Sequence, residues 1–460
     1  MNKMGVMPVG KLLFSMALPL VISMLVQALY NVVDSIYVAR YSANAVTALS
    51  LAFPIQNLQI GCATGVAVGV NSLLSRSLGE GNGERANRAA GNGIFLAAIF
   101  ALAFILFGFF GAGKYYAFQK ISAQTVAAGT AYSSICCIFT LGIFVEILFE
   151  RLLQASGKTI YTMFTQGTGA IINIALDPVF IFGVERLGIP ALGAAGAAIA
   201  TVVGQWVAAI LAVILNFRRN TDVRFRLSYL RPRGNIVKTI LIVGVPSMIM
   251  MAVGSVMTFG MNQICLGFPD IGEIASGVFG IYFKLQSFFI MPVIGINNAA
   301  ISIMAFNYGA RKPDRITKAL RCAICGGLGV MLIGLLAFQL LPELLMRVFA
   351  PDQGATSEQF FKIGVAALKT VSWHFPLAGI CIVLSAGFQA LGNGIYTTVI
   401  SLCRQLVVLL PVAYLLSLSG RVNDIWWAFP IAEVASLILS LLFFTRIYRK
   451  KIVPMKKGHD

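Results

Sequence analysis

Charge is what this sequence is short of: of its 460 residues only 11% are Asp, Glu, Lys or Arg, against 58% hydrophobic. A water-soluble domain carries about 25% charged residues because its surface must be solvated. With a mean hydropathy of +0.84 this chain cannot cover such a surface, so its solvent is mostly lipid. Histidine is nearly missing. His374 and His459 are the only two, too few for a histidine metal site or a Ser/His/Asp hydrolase. The eight cysteines (Cys62, Cys136, Cys137, Cys265, Cys322, Cys325, Cys381, Cys403) lie in or beside apolar runs and read as small hydrophobes. Cys322-x-x-Cys325 has no second pair to complete a zinc or redox motif. A complete nucleotide loop is also lacking. Gly108 to Lys114 has the GxxxxGK spacing, but Tyr115 stands where Ser or Thr would hold Mg, and Gly157-Lys158-Thr159 is preceded by Leu152 where the first glycine belongs. An ATP-driven process is therefore not expected of such a chain.

What is present is a series of apolar runs. A membrane-crossing helix needs about 20 mostly apolar residues. Twelve runs satisfy this, over roughly 12–39, 46–74, 91–112, 126–153, 160–183, 193–216, 239–266, 276–304, 319–341, 363–390, 396–417 and 425–447. The first is too long for a signal peptide and lacks a small-residue cleavage site, and no soluble domain is expected at either end. Of 35 Lys and Arg, 25 fall on the side that holds both termini, eight on the other, and Lys284 and Arg404 lie within runs. That asymmetry predicts both termini in the cytoplasm. It also accounts for the net charge of +18 as anchoring near anionic lipid, not as a nucleic-acid surface.

The halves resemble each other. Gln154 to Thr162 and Gln389 to Thr397 are identical at six of nine positions, an offset of 235. Pro19 pairs with Pro246 at offset 227, and Gly79 and Arg85 pair with Gly309 and Arg315 at offset 230. Six spans per half is even, so the halves insert in one orientation and relate by an axis along the membrane normal. The expected organisation is an all-α integral membrane protein: an N-lobe over 1–217, a basic cytoplasmic linker over 218–238, and a C-lobe with a short basic tail over 239–460. Two six-helix lobes fit alternating access better than a passive pore.

Acids inside a membrane are costly, about 2.5–3.5 kcal/mol each at a helix centre, and are functional candidates for that reason. Five lie within spans: Asp34, Glu146, Glu150, Asp177 and Glu433. Glu150 beside Arg151 near a span end reads as a solvated pair. Glu433 has Arg404 as a structural partner, and Glu146 is open to either reading. Asp34 shares one stripe of span one with Gln27, Tyr30, Asn31 and Tyr37, at helical spacings. Asn173 and Asp177 are one turn apart, and Pro178 frees the carbonyl of Ile174. Thr201 and Gln205 are also one turn apart. The competing reading is polar side chains gluing helices together, which seldom needs two carboxylates in one bundle. If Asp34 and Asp177 share a dry pocket they oppose each other's ionisation, so the pair holds a proton or Na+ and releases it when wetted from the other side. Pro19, about four turns before Asp34, weakens the helix ladder and is a candidate hinge. Gly61, Gly65 and Gly69 form a small-residue ridge read as packing within a rigid lobe.

These residues together resemble the multidrug and toxic compound extrusion (MATE) family over nearly the full length. The carriers are Leu18-Pro19, Asn31-Val32-Val33-Asp34, the turn at Gly79, Gly157-Lys158-Thr159, Asn173 to Pro178, Gly196 to Thr201, Gln389-Ala390-x-Gly392-Asn393 and Arg404-Gln405. The resemblance implies antiport of organic cations or other drugs against H+ or Na+. Its N-lobe cation ligands match Asp34, Asn173, Asp177 and Thr201, and its bending proline matches Pro19. Members that couple through the C-lobe carry a glutamate in span seven, where this chain has Gly254, and an acid in span ten, where it has His374. N-lobe coupling is therefore expected, as in the Gram-positive multidrug exporter branch. No cofactor or resident metal is expected beyond H+ or Na+ at that site. The substrate cavity is assigned to Gln27, Tyr30, Asn31, Tyr37, Gln205, Met257, Met261 and Phe288, since Met- and Phe-rich walls adapt to apolar cations. The partners expected are small organic cations and membrane lipid, with no nucleic acid, and the protein is expected to be a monomer in the plasma membrane. The alternative is a flippase for a lipid-linked saccharide, for which Lys284 and Arg404 are a sparse cationic supply. An integral membrane enzyme is the remote third.

Overall fold

The computed structural model describes residues 3–118, 122–184, 188–269, 271–347 and 355–457, and among these the regular structure is helical, with no strand. Twelve helices cross: α1 Val9–Tyr41, α2 Ala43–Gly79, α3 Gly83–Phe110, α4 as the pair Ala123–Ile138 and Leu141–Ala155, α5 Thr159–Phe182, α6 Ala194–Arg219, α7 Gly234–Leu266, α8 Gly272–Gly309, α9 Pro313–Leu340, α10 as Ala355–Val371 continuing through Phe375–Ala390, α11 over 395–417, and α12 Ala428–Ile447. Ten are long and apolar enough to span, and α4 is an eleventh whose halves bend by 46°. The remaining one, α5, is less apolar because its buried face carries Thr162, Thr165, Asn173 and Asp177.

Most helices outrun the apolar runs that mark them. Helix α3 starts at Gly83, where the Asn82 side chain accepts from the Arg85 amide, rather than at 91. Hydropathy marks the lipid, whereas caps and backbone hydrogen bonds mark the helix. The bend in α4 has a local cause. Gln59 of α2 inserts its amide nitrogen between the Cys136 carbonyl (3.1 Å) and the Thr140 hydroxyl, and the Trp206 ring N–H takes the Phe139 carbonyl at 3.2 Å. Side chains thereby replace ladder bonds at the break. In α11, residues Cys403–Leu409 run as a π-helical stretch just before Pro411, which has no amide hydrogen to continue an α-helical ladder.

The sequence repeat is visible in the backbone. Gly157 (φ +77°) and Gly392 (φ +74°) occupy the same left-handed turn, each followed by an amide bonded five residues back, Lys158 to the Leu153 carbonyl and Asn393 to that of Phe388. The second repeat pair meets in space. A Cβ on Gly79 would lie 1.9 Å from the Phe306 carbonyl, and one on Gly309 would lie 2.0 Å from that of Arg76. Helices α2 and α8 therefore cross backbone to backbone at the end of the bundle that carries the basic loops.

Two sequence readings change here. The ridge Gly61, Gly65, Gly69 does not pack within one lobe; it faces Met251, Gly244 and Ile240 of α7, so it joins the two halves. A small-residue stripe records that two backbones approach, not which two. Second, Met4, Leu12, Met16 and Leu20 belong to the same buried core as residues of α7 to α12. Helix α1 leaves the C-lobe core just past the buried Pro19, and Val38 packs in a separate cluster with Ile181 and Ala197.

Candidate functional site

Helices α5 and α6 meet through glycine. A Cβ on Gly204 would sit 2.7 Å from the Gly169 carbonyl and 3.3 Å from Cβ of Asn173. This approach lets Asn173 donate from its Nδ2 to both Asp177 Oδ1 and Thr201 Oγ1, each at 3.3 Å. Asp177 is fully buried. Helix α1 packs along α5 and brings Asp34 into the electrostatic range of Asp177. Three acceptor oxygens have no donor: Asp34 Oδ1, Asn173 Oδ1 and Asp177 Oδ2. Buried oxygens without donors are costly, and such oxygens on neighbouring helices are what a hard cation or a proton on a carboxylate would satisfy. The residues thus fit H+ or Na+.

The other residues predicted for this region are distributed unequally. Tyr30 pairs with Gln27 and lies within electrostatic range of Asp34, Asp177 and Glu146. Asn31 is exposed on α1, and Gln205 is half-buried one turn past Thr201. Tyr37 is packed edge-on against Phe182 at 6.5 Å. The C-lobe candidates are elsewhere: Met257 and Met261 are buried in the C-lobe core, with Phe288 half-buried on α8. Met261 in particular has no exposed surface, so in this conformation it fills core and lines no opening.

Glu150 corrects a sequence reading. It is not solvated, and although Arg151 is within electrostatic range its hydrogen bonds go elsewhere. At 2% exposure its carboxylate accepts from Thr165 Oγ1 at 2.6 Å and Gln166 Nε2 at 2.8 Å, while Arg151 turns to Gln154 at 3.0 Å. Adjacency in a helix puts side chains about 100° apart, so i and i+1 do not face one another. Glu146, one turn earlier, interacts electrostatically with Glu150. The i, i+4 spacing of these two acids was the available signal that they share one face of α4.

In the C-lobe, Arg404 Nη1 contacts Glu433 at 3.1 Å, and Tyr282 links Gln286 (2.5 Å) to His374 Nε2 (3.2 Å). At Gly254 a Cβ would have only Gln405 Oε1 near it, at 3.7 Å. Cys322 and Cys325 are both free thiols, and Tyr115 donates to the Leu51 carbonyl at 2.9 Å.

A family model described as MatE matches residues 19–179 and 246–415. The chain belongs to the MatE family. The two matched segments are the two halves of the repeat, and each begins at its proline, Pro19 and Pro246. Among curated relatives of this MATE chain are the probable multidrug resistance protein YoeA of Bacillus subtilis, 24% identical with 94% of this chain and 93% of YoeA covered, and the multidrug export protein MepA of Staphylococcus aureus, 22% identical with 95% and 93% covered. An outward-facing multidrug resistance MATE family transporter superposes with a TM-score of 0.91 at 24% identity, over 99% of this chain and 98% of that one. The protein is a multi-span membrane transporter with the MATE fold, twelve helices in two six-helix lobes.

Proposed function

We propose that the protein exports organic cations by antiport against H+ or Na+, with Asp34, Asn173, Asp177 and Thr201 as the coupling site. What supports this reading is that Asp34 Oδ1 on α1 and Asn173 Oδ1 and Asp177 Oδ2 on α5 are all buried without donors, with Asn173 bonded to Asp177 and Thr201 and Asp34 in electrostatic range of Asp177. An ion bound there neutralises α1 against α5, and its release restores carboxylate repulsion between them. Pro19 is positioned to convert that change into movement, because α1 passes from one core to the other beside it. The basic end is assigned to the cytoplasm, both termini with it, in the plasma membrane. The lobes are sealed at that end by Asn71 with Ser302 (3.1 Å), Ser72 with the Gln389 carbonyl (2.8 Å) and the α2/α7 glycine ridge, as an outward-facing exporter would be. A saccharide flippase needs free cations facing a pyrophosphate, and Arg404 is occupied by Glu433.

The test is ethidium transport in proteoliposomes under a proton or a sodium gradient imposed separately. One gradient is expected to drive wild type, and Asp34→Asn and Asp177→Asn are each expected to reduce transport to background. Gradient-driven transport that survives both substitutions would remove the coupling site from the N-lobe.

A further inference from the structure

Between α6 and α7 the chain crosses the basic end as a strap fixed to α3. Asn87 Oδ1 accepts the Arg224 amide at 2.7 Å, and Asn92 accepts the Arg233 amide at 2.8 Å while donating to the Tyr229 carbonyl at 3.1 Å. Gly91 has no room for a Cβ, which would lie 2.3 Å from the Tyr229 carbonyl. Strap and helix enclose a groove of about 650 Å³ lined by Arg88, Arg224, Arg226, Thr221, Ser228 and Tyr229 together with Glu84 and Asp222. Both acids are already taken, Glu84 by Arg88 at 2.6 Å and Asp222 by Lys158 at 3.7 Å. Arg88 also lies over the Tyr229 ring, 5.6 Å from its centroid. The side chains of Arg224 and Arg226 are exposed and have no partner among the described residues. Between Arg226 and Ser228, Leu227 projects from the protein at 85% exposure, and Phe217 beside the strap is 63% exposed.

Two free guanidinium groups with a hydroxyl beside them are suited to a phosphate diester, since guanidinium forks match phosphate oxygens. The apolar rim decides the source. A dissolved phosphate offers nothing to Leu227, whereas a phospholipid supplies acyl chains next to its phosphate. We propose that this groove seats the headgroup of an anionic phospholipid, with Arg224 and Arg226 on the phosphate and Leu227 in the acyl region. That the lipid comes from the inner leaflet rests on the cytoplasmic assignment above; the binding itself does not. Because the strap continues directly into α7, the lipid would hold the N-lobe end of the connection on which the lobes move.

Native mass spectrometry of the full chain from micelles doped equally with phosphatidylglycerol and phosphatidylcholine tests this independently of sidedness and of transport. Wild type is expected to retain phosphatidylglycerol preferentially. Arg224→Gln with Arg226→Gln is expected to lower that retention roughly tenfold or more, at about 1 kcal/mol per basic residue. Arg446→Gln with Arg449→Gln, the same charge removed from the tail, is expected to leave it unchanged. Equal loss in both double variants would reduce the effect to net charge and overturn the site. Inorganic phosphate displacing the lipid at equal concentration would overturn the lipid assignment. Thermal unfolding of each variant checks that the fold is intact, and Leu227→Ser, which keeps both arginines, is expected to weaken retention as well.

Discussion

Asp177 has no exposed surface, yet one of its two carboxylate oxygens has no donor. Its other oxygen accepts one of the two Asn173 amide hydrogens while Thr201 accepts the other, so the amide is fully used and Asp177 Oδ2 is left for a positive charge. Glu150, equally buried, has both oxygens satisfied. Two buried carboxylates thus differ in their surroundings: Glu150 fastens α4 to α5, whereas Asp177 keeps an oxygen without a donor, as the proposed coupling role requires. Glu150→Ala is accordingly expected to lower thermal stability by about 2 kcal/mol, by orphaning the Gln166 amide and opening a cavity between α4 and α5, and Asp177→Asn to leave stability near wild type while transport is lost. Arg404→Ala leaves Glu433, whose side chain is 4% exposed, as an uncompensated charge, and about 3 kcal/mol of destabilisation is expected. Adding Glu433→Leu is expected to restore most of it. Detergent unfolding curves of the single and double variants measure both effects.

At the scale of helices, the coupling site depends on a glycine that is not among its ligands. Gly204→Ala puts a methyl group against the Gly169 carbonyl and must separate α5 from α6, breaking the Asn173 to Thr201 hydrogen bond. A loss of coupled transport and about 1–3 kcal/mol of stability is expected. Gly167→Ala in the facing helix α5 meets nothing within 4 Å, so it serves as the neutral control. Helix α1 extends the argument. Its first half is C-lobe core and its ligand half is N-lobe, so a hydropathy pattern that is continuous over 33 residues conceals a change of partner. Sequence placed Asp34 on a polar stripe, but which bundle that stripe entered was decided by packing.

For the whole molecule, the decisive contact is the crossing of α2 and α8 at Gly79 and Gly309. These residues are one repeat apart, and each fits against the backbone of the other's helix, as a pseudo-two-fold axis between them requires. The N-terminal segment is fixed to the C-lobe, where Arg315 Nη2 holds the carbonyls of Met4 (3.0 Å) and Met7 (2.7 Å) and Lys312 holds that of Gly5 at 2.9 Å, and it abuts Gly157 of the N-lobe through Lys3 and Met4. Gly79→Ala or Gly309→Ala cannot be accommodated with the basic end closed. Either is expected to shift the population toward a form open at that end. In a cysteine-free background, a Ser72→Cys reporter should become reactive to a small maleimide in these variants, and stay protected with Gly83→Ala, where a Cβ meets nothing.

The membrane solvent, the number of crossings, the basic asymmetry and the internal repeat were determined by the sequence alone. Each depends on composition or periodicity summed over many residues, and such sums are insensitive to which helix lies beside which. The candidate ligands Asp34, Asn173, Asp177 and Thr201 were legible because acids and amides at helical spacing stand out in an apolar chain. Three things were decided only by the tertiary structure: that Glu150 is satisfied by α5 instead of Arg151, that the Gly61 to Gly69 ridge joins the lobes, and that α1 is shared between two cores. Each is a choice of partner across long separations in sequence, and a partner is fixed by surfaces that exist only once the helices have packed.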